Sequence, residues 1–188
     1  MQEVSVIIPN FNGMAYLDGV LAGLECQTVN NFEVILVDNG SSDGSCAFVS
    51  ARYPWVHLIE LPENFGFCKA VNEGIKASRA PYVLLLNNDI EVTENFIEEM
   101  ISAIRRHPKA FSCAARMIQF HDRDKLDDAG NYYCALGWAY ARGKGKDIHT
   151  YEKEEKIFAS CAGAAIYRKK IFDKIGLFDE EHFAYLED

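Results

Sequence analysis

No stretch of this 188-residue chain approaches the roughly 18 consecutive apolar residues that would suggest a membrane-spanning helix. The purest run, Val83-Leu84-Leu85-Leu86, has the length of a strand. The opening MQEVSVIIPN lacks the basic n-region and long apolar h-region of a signal peptide, so it reads as a first strand and a cytoplasmic location is expected. The six cysteines are far apart, with no CxxC pair and no Cys/His spacing typical of zinc, and read as reduced thiols. Positive charge is in deficit: 19 Lys and Arg against 28 Asp and Glu leave a net charge of −9 and a pI near 5.1. That balance repels a polyanionic backbone and disfavours nucleic acid as a partner. The turn after the first strand, PNFNG, supplies neither GxGxxG nor a P-loop, and no GxSxG occurs, which sets aside a dinucleotide dehydrogenase, a P-loop NTPase and a serine hydrolase. Internal repeats and low-complexity tracts are also missing.

What remains has the make-up of a folded domain. Hydrophobic residues are 49% and charged residues 25%, the composition of an ordinary globular protein, and the length suits one domain with a continuous core. Val4 to Ile8 is β-branched and stopped by Pro9-Asn10, so it predicts a buried strand. Leu17, Val20, Leu21 and Leu24 recur at helical spacing and predict a helix over 13–27. Phe32 to Val37 predicts a second strand, ending in DNGSSDGS, where Ser42 or Asp43 is placed to cap a short helix. A strand over 56–61, the loop PENFG, a helix over 67–77, a strand over 82–86 and a capped helix from Thr93 to Arg106 continue the pattern. Such alternation predicts an α/β fold with a mainly parallel sheet and ligands beyond the strands' carboxyl ends. After residue 110 the pattern weakens. FSCAARMIQF predicts one more strand, DDAGNYYCALGWAYARG over 127–143 an irregular stretch, 142–156 a surface loop, and Arg168 to Ile175 a short helix stopped by Gly176.

Polar residues gather where the strands end. Asp38 follows the second strand, where a carboxylate can accept a hydrogen bond from the ring N–H of a uracil or thymine; the same residues also suit plain Asx-turns. Asn87-Asn88-Asp89 follows the strand over 82–86, and its oxygens suit Mg²⁺ or Mn²⁺ that would neutralise a diphosphate, though a polar turn needs no more than the same tripeptide. At the far end, FDEEHFAYLED offers Asp188, Glu187 and His182 as general bases for a hydroxyl nucleophile; its bland alternative is a solvated acidic terminus.

Taken in order, VSVIIPNFNG, FEVILVDNGSSDGS, ENFGFCKAVNEGI, YVLLLNNDIEV, CAGAAIYRKKIFDKIGLFDE and YLED resemble the family 2 glycosyltransferases, inverting enzymes of the GT-A fold, and most of all their bacterial rhamnosyltransferase-like branch. The resemblance covers nearly the whole chain. It implies a Rossmann-like, mainly parallel sheet flanked by helices, with a nucleotide-sugar-binding part over about 1–110 and an acceptor-side part over about 111–188. It places Pro9, Asn10 and Asn12 along the nucleotide pocket, Asp38 and Asn39 at the base, and Asn64, Gly66, Phe67, Lys69 and Asn72 near the diphosphate or ribose. Asn87 and Asp89 fall on the first and last positions of the family's DxD metal motif, with Asn88 between them, and Asn87 replaces a carboxylate there. Gly163 and Ala164 match a small-residue segment that leaves room for a sugar ring, and Asp188 matches the aspartate of the ED pair, the implied base.

The implied reaction is transfer from a UDP- or dTDP-sugar to an acceptor hydroxyl on a glycan or lipid-linked carrier in surface-polysaccharide synthesis. It is assisted by Mg²⁺ or Mn²⁺, with peripheral association at the inner face of the membrane. Resembling enzymes continue past the ED pair, so the chain is expected to be cut short there or to be an unusually short member, binding donor better than it turns over. Two alternatives stand beside this reading: a nucleotide-sugar-binding module without transfer activity, suggested by Asn87, and a nucleotidyltransferase, disfavoured because PNFNG is not a Gly/Arg-rich phosphate loop.

Overall fold

The computed structural model describes residues 2–183. Four β-strands alternate with helices as the hydrophobic pattern requires: β1 (Val4–Asn10), α1 (Met14–Glu25), β2 (Phe32–Asp38), α2 (Ser45–Arg52), β3 (His57–Glu60), α3 (Phe67–Ala77), β4 (Tyr82–Leu86) and α4 (Phe96–Arg106). Short strands follow, β5 (Ser112–Ala114), β6 (Met117–Ile118), β7 (Leu126–Asp128), β8 (Asn131–Tyr133) and β9 (Ala139–Ala141), then β10 (Ala164–Arg168) and α5 (Lys169–Ile175). The main sheet has the order β3-β2-β1-β4-β10-β5. β1 to β4 pair in parallel, whereas β10 runs antiparallel to both β4 and β5. The later part of the chain therefore completes the same sheet.

Both faces of that sheet are covered, which is why its central strands read as predominantly apolar runs. Successive side chains alternate faces. Val6 and Ile8 of β1, Leu36 of β2 and Leu84 of β4 pack with α1, α2 and α4, while Ile7, Ile35, Val37 and Leu85 pack with α3 and α5. Gly74 of α3 lies against β1 so closely that a Cβ there would stand 2.4 Å from Ile7 Cγ2. Chain direction reverses around β1, since α1 leads from it to β2 on one side and α3 brings the chain to β4 on the other. Ligands bind α/β sheets at such a switch point, outside the strands' carboxyl ends.

Three sequence expectations differ from the structure. The helix expected from Thr93 begins at Phe96, because the Thr93 carbonyl accepts the Phe96 N–H in a turn while its hydroxyl donates to Asn95 Oδ1. The single strand expected over 111–120 is broken between β5 and β6, where the Arg116 guanidinium donates to the carbonyls of Ile148 and Thr150. The irregular stretch after residue 127 holds a two-stranded ribbon, β8 with β9, whose Tyr132 and Tyr140 rings stack 5.8 Å apart. Asp43 does serve α2, accepting the Ser45 N–H at 3.0 Å, with Gly44 between them in the left-handed region at φ 91°.

Candidate functional site

The loops leaving β1, β2, β3 and β4 are tied together at the carboxyl edge by side-chain hydrogen bonds. Asn10, 1% exposed, is the centre. Its Nδ2 donates to Asp38 Oδ1 at 2.8 Å and to Ser41 Oγ at 3.3 Å, and its Oδ1 accepts from Asn88 Nδ2 at 2.7 Å. Asp38, 2% exposed, also accepts the Ser41 N–H at 2.8 Å and the thiol of Cys46. Burial, that bond to Asp38 and the nearby Glu60 push the Cys46 thiol up to about 12, so it stays protonated and unreactive at neutral pH. Ser41 Oγ accepts the N–H of Asn12, and Asn12 Oδ1 accepts that of Ser42. Asn12 sits at φ 50°, a left-handed conformation asparagine tolerates.

A second group joins the β2 and β3 loops. Asn39 donates through Nδ2 to Asn64 Oδ1 at 2.8 Å and to the Gly66 carbonyl at 3.0 Å, and its Oδ1 accepts the Phe65 N–H. Asn64 Oδ1 accepts the Gly66 N–H as well. Asp38 and Asn39, expected at a base, thus have their polar atoms engaged inside the protein and shape the loops.

The tripeptide after β4 divides its labour. Asn88 is held by Asn10, whereas the side chains of Asn87, half-buried, and Asp89, exposed, make no hydrogen bond or ion pair among the described residues. The Asn87 N–H donates to the Gly163 carbonyl at 2.9 Å, which fixes the 161–163 segment beside it. Oxygen donors from one carboxylate and one amide suit a hard divalent cation, but they fill only part of its shell. No group of three or more His, Cys, Asp or Glu able to hold a metal occurs among the described residues.

Other expected site residues are placed differently. Ala164 is 2% exposed and packs in the core with α1, α2 and α4, where β10 pairs it with Leu86. A Cβ at Gly163 would meet Cys161 Sγ, Asn87 Nδ2 and Met117 Cε at 3.5–3.8 Å, ordinary contacts, so the segment does not require glycine for space. Lys69 pairs with Glu73 and Glu180, both at 3.1 Å, and Asn72 is buried against the chain at Phe178. Pro9 lies within β1, paired with Val37, and Phe67 opens α3. Asp188 and Glu187 lie outside the described residues. A cavity of about 300 Å³ lined by Phe111, Phe158, Tyr167, Phe172 and Phe178 lies apart from this network and shares no residue with it.

Two contributors were missed from sequence. Ser41 sat in a run of turn formers, and nothing in its type distinguished it from Ser42. Gly13 read as a turn glycine; a Cβ there would stand 2.0 Å from Asn88 Nδ2 and 2.3 Å from Asn10 Oδ1. Gly13→Ala is expected to break the Asn10–Asn88 bond and cost about 1–3 kcal/mol, read as a lower midpoint in denaturant unfolding.

Comparison with known proteins decides the family. The model for "Glycosyl transferase family 2" matches residues 5–176. The chain belongs to that family. It is 26% identical, over 97% of its length and 67% of the relative's, to N-acetylglucosaminyl-diphospho-decaprenol L-rhamnosyltransferase of Mycobacterium tuberculosis. It is 30% identical to glycosyltransferase GlyG of Streptococcus pneumoniae, over 69% of this chain and 42% of that one. The crystal structure of S. aureus TarS 1-349 in complex with UDP superposes with a TM-score of 0.72 at 21% identity, covering 99% of this chain and 53% of that chain. The mannosyltransferase PcManGT of Pyrobaculum calidifontis, in complex with GDP-Man and Mn²⁺, superposes with a TM-score of 0.69 at 15% identity, over 95% of this chain and 48% of that one. These structures share the GT-A architecture expected from the sequence, and the chain spans about half the length of each.

Proposed function

We propose that this glycosyltransferase moves a sugar, with inversion, from a UDP- or dTDP-linked donor to an acceptor hydroxyl on a glycan or lipid-linked carrier in polysaccharide or cell-surface glycan synthesis. The observation that carries this reading is the braced cluster of loops at the switch point, where, among the described residues, the side chains of Asn87 and Asp89 make no hydrogen bond and are left for a ligand while Asn88 is held. TarS in complex with UDP and with UDP-GlcNAc, and a rhamnosyltransferase relative named for a lipid-linked acceptor, support the donor and acceptor classes. Phe11, 47% exposed between Asn10 and Asn12, gives a face that suits stacking of a pyrimidine. Action in the cytoplasm at the inner membrane face fits a lipid-linked acceptor, and no helix among the described residues is long and apolar enough to cross a membrane.

In the reaction, Asp188 takes the proton from the acceptor hydroxyl as its oxygen bonds to the anomeric carbon from the face opposite the leaving group. The bond to the phosphate oxygen breaks, and the nucleoside diphosphate leaves with that electron pair. A Mg²⁺ or Mn²⁺ ion held by Asn87 and Asp89 would supply charge neutralisation to the diphosphate. With one carboxylate in the pair, the ion and the nucleotide depend on each other for tight binding. Calorimetry tests this directly: UDP or dTDP affinity is expected to rise at least about tenfold (~1.4 kcal/mol) on adding Mn²⁺, and the gain to vanish in Asp89→Ala. Equal affinity with and without Mn²⁺ in the unmutated protein would count against the metal role. Nucleotide binding without turnover of any donor would favour a binding module.

A further inference from the structure

The chain from Phe178 to Phe183 lies along α3 as a strap, attached at Asn72, Lys69 and Phe67. Asn72, 1% exposed, uses both ends of its amide on one residue's backbone: Nδ2 donates to the Phe178 carbonyl at 2.8 Å, and Oδ1 accepts the Phe178 N–H at 3.1 Å. The same Nδ2 donates to Glu180 Oε1 at 3.0 Å, and Glu180 Oε2 meets Lys69 Nζ at 3.1 Å. Those bonds to Asn72 and Lys69 hold the Glu180 carboxyl below the usual carboxylate range. At the start of α3 the Phe183 carbonyl accepts the Phe67 N–H at 2.7 Å. Gly66, at φ 87°, lies so close that a Cβ there would stand 2.6 Å from that carbonyl oxygen.

Gly66 is also where the nucleotide-side loops are tied, since its carbonyl accepts from Asn39 and its N–H donates to Asn64. Strap and nucleotide-side loops therefore meet at one residue. A buried amide engaged by a segment 106 residues away fixes that segment far more firmly than exposed ion pairs do.

We propose that Asn72 is a positioning residue for sugar transfer: by clamping the 178–183 strap to α3, it fixes the acceptor-side chain relative to the nucleotide-side loops that meet it at Gly66. This role rests on the nucleotide-sugar reading above. Misplacement by about an ångström costs on the order of 10²-fold in rate without touching ground-state binding, so the effect belongs in kcat.

The test uses the full-length protein, with UDP release from UDP-N-acetylglucosamine and dTDP release from dTDP-rhamnose as the rate and calorimetry as the donor affinity. Asn72→Ala is expected to lower kcat about 10- to 100-fold while donor Kd stays within about twofold. Glu180→Ala, an exposed change, is expected to lower kcat about threefold, and the double variant to be no worse than Asn72→Ala, because both act through one contact. Asn72→Asp places a carboxylate against Glu180 and is expected to recover part of its lost rate when Glu180→Gln is added. An unchanged kcat in folded Asn72→Ala, or kcat and donor affinity falling together, would overturn the role. If Asn72→Ala does not fold, an unchanged kcat in Glu180→Ala overturns it instead. Absence of donor binding by the unmodified protein would overturn the nucleotide-sugar reading, and with it the role given to Asn72.

Discussion

Asp188→Asn in the full-length protein is expected to lower sugar transfer by about 10²–10⁴-fold, or roughly 3–5 kcal/mol of barrier, while leaving donor affinity within about twofold. A general base acts on the proton that moves in the transition state, and the amide cannot accept it, whereas donor affinity rests on the residues proposed for the nucleotide. Steady-state kinetics with a matched calorimetric titration separates the two quantities. Full activity in Asp188→Asn would move the base elsewhere, with Glu187 and His182 of the same segment the first candidates. A parallel loss of donor binding would instead make Asp188 part of the binding surface.

Asp38→Ala is expected to damage the protein in two ways at once. Its carboxylate is 2% exposed and accepts from Asn10, the Ser41 backbone and the Cys46 thiol. Removing it leaves buried donors unpaired, at an expected cost of about 2–4 kcal/mol of stability, since hydrogen bonds to charged groups and their unpaired donors are each worth ~1–3 kcal/mol. UDP and dTDP affinity falls with it, because Asn10 and Ser41 position the loops over 12–14 and 41–43. Asp38→Asn is milder but still unfavourable, as one of its amide N–H groups must face another donor. Denaturant unfolding and calorimetry on the same variants report both effects. Unchanged stability in Asp38→Ala would contradict the bracing role, and unchanged nucleotide affinity would remove Asp38 from the site.

The first half of the fold was legible because its strands are buried on both faces. Val83 to Leu86 carries no polar residue and Val4 to Ile8 only the buried Ser5, so the hydrophobic runs locate the sheet, although β1 continues through Pro9 to Asn10 where the sequence predicted its end. Beyond residue 110 the sheet is completed by β10, whose antiparallel pairing with β4 and β5 depends on contacts far away in sequence. Such contacts leave no periodic trace. The same limit separates Asn87 from Asn88. Both are asparagines at a strand end, and only the fold shows that Asn88 is held by Asn10 while Asn87 is not. The resemblance places Lys69 and Asn72 near the diphosphate or ribose, and only the fold shows that they also meet Glu180 and Phe178, more than 100 residues on. Gly13 was legible as a turn but not as the space that lets Asn10 meet Asn88.

The central claim is that a nucleoside diphosphate binds at the loops braced by Asn10, Asp38 and Asn39. An amide NMR titration of the protein with UDP in the presence of Mg²⁺ tests it most directly. The expected result is saturable shifts confined to residues 10–14, 38–43, 64–67 and 87–89. Shifts centred on the Phe111, Phe158 and Phe172 cavity instead, or none at millimolar UDP and dTDP, would contradict it.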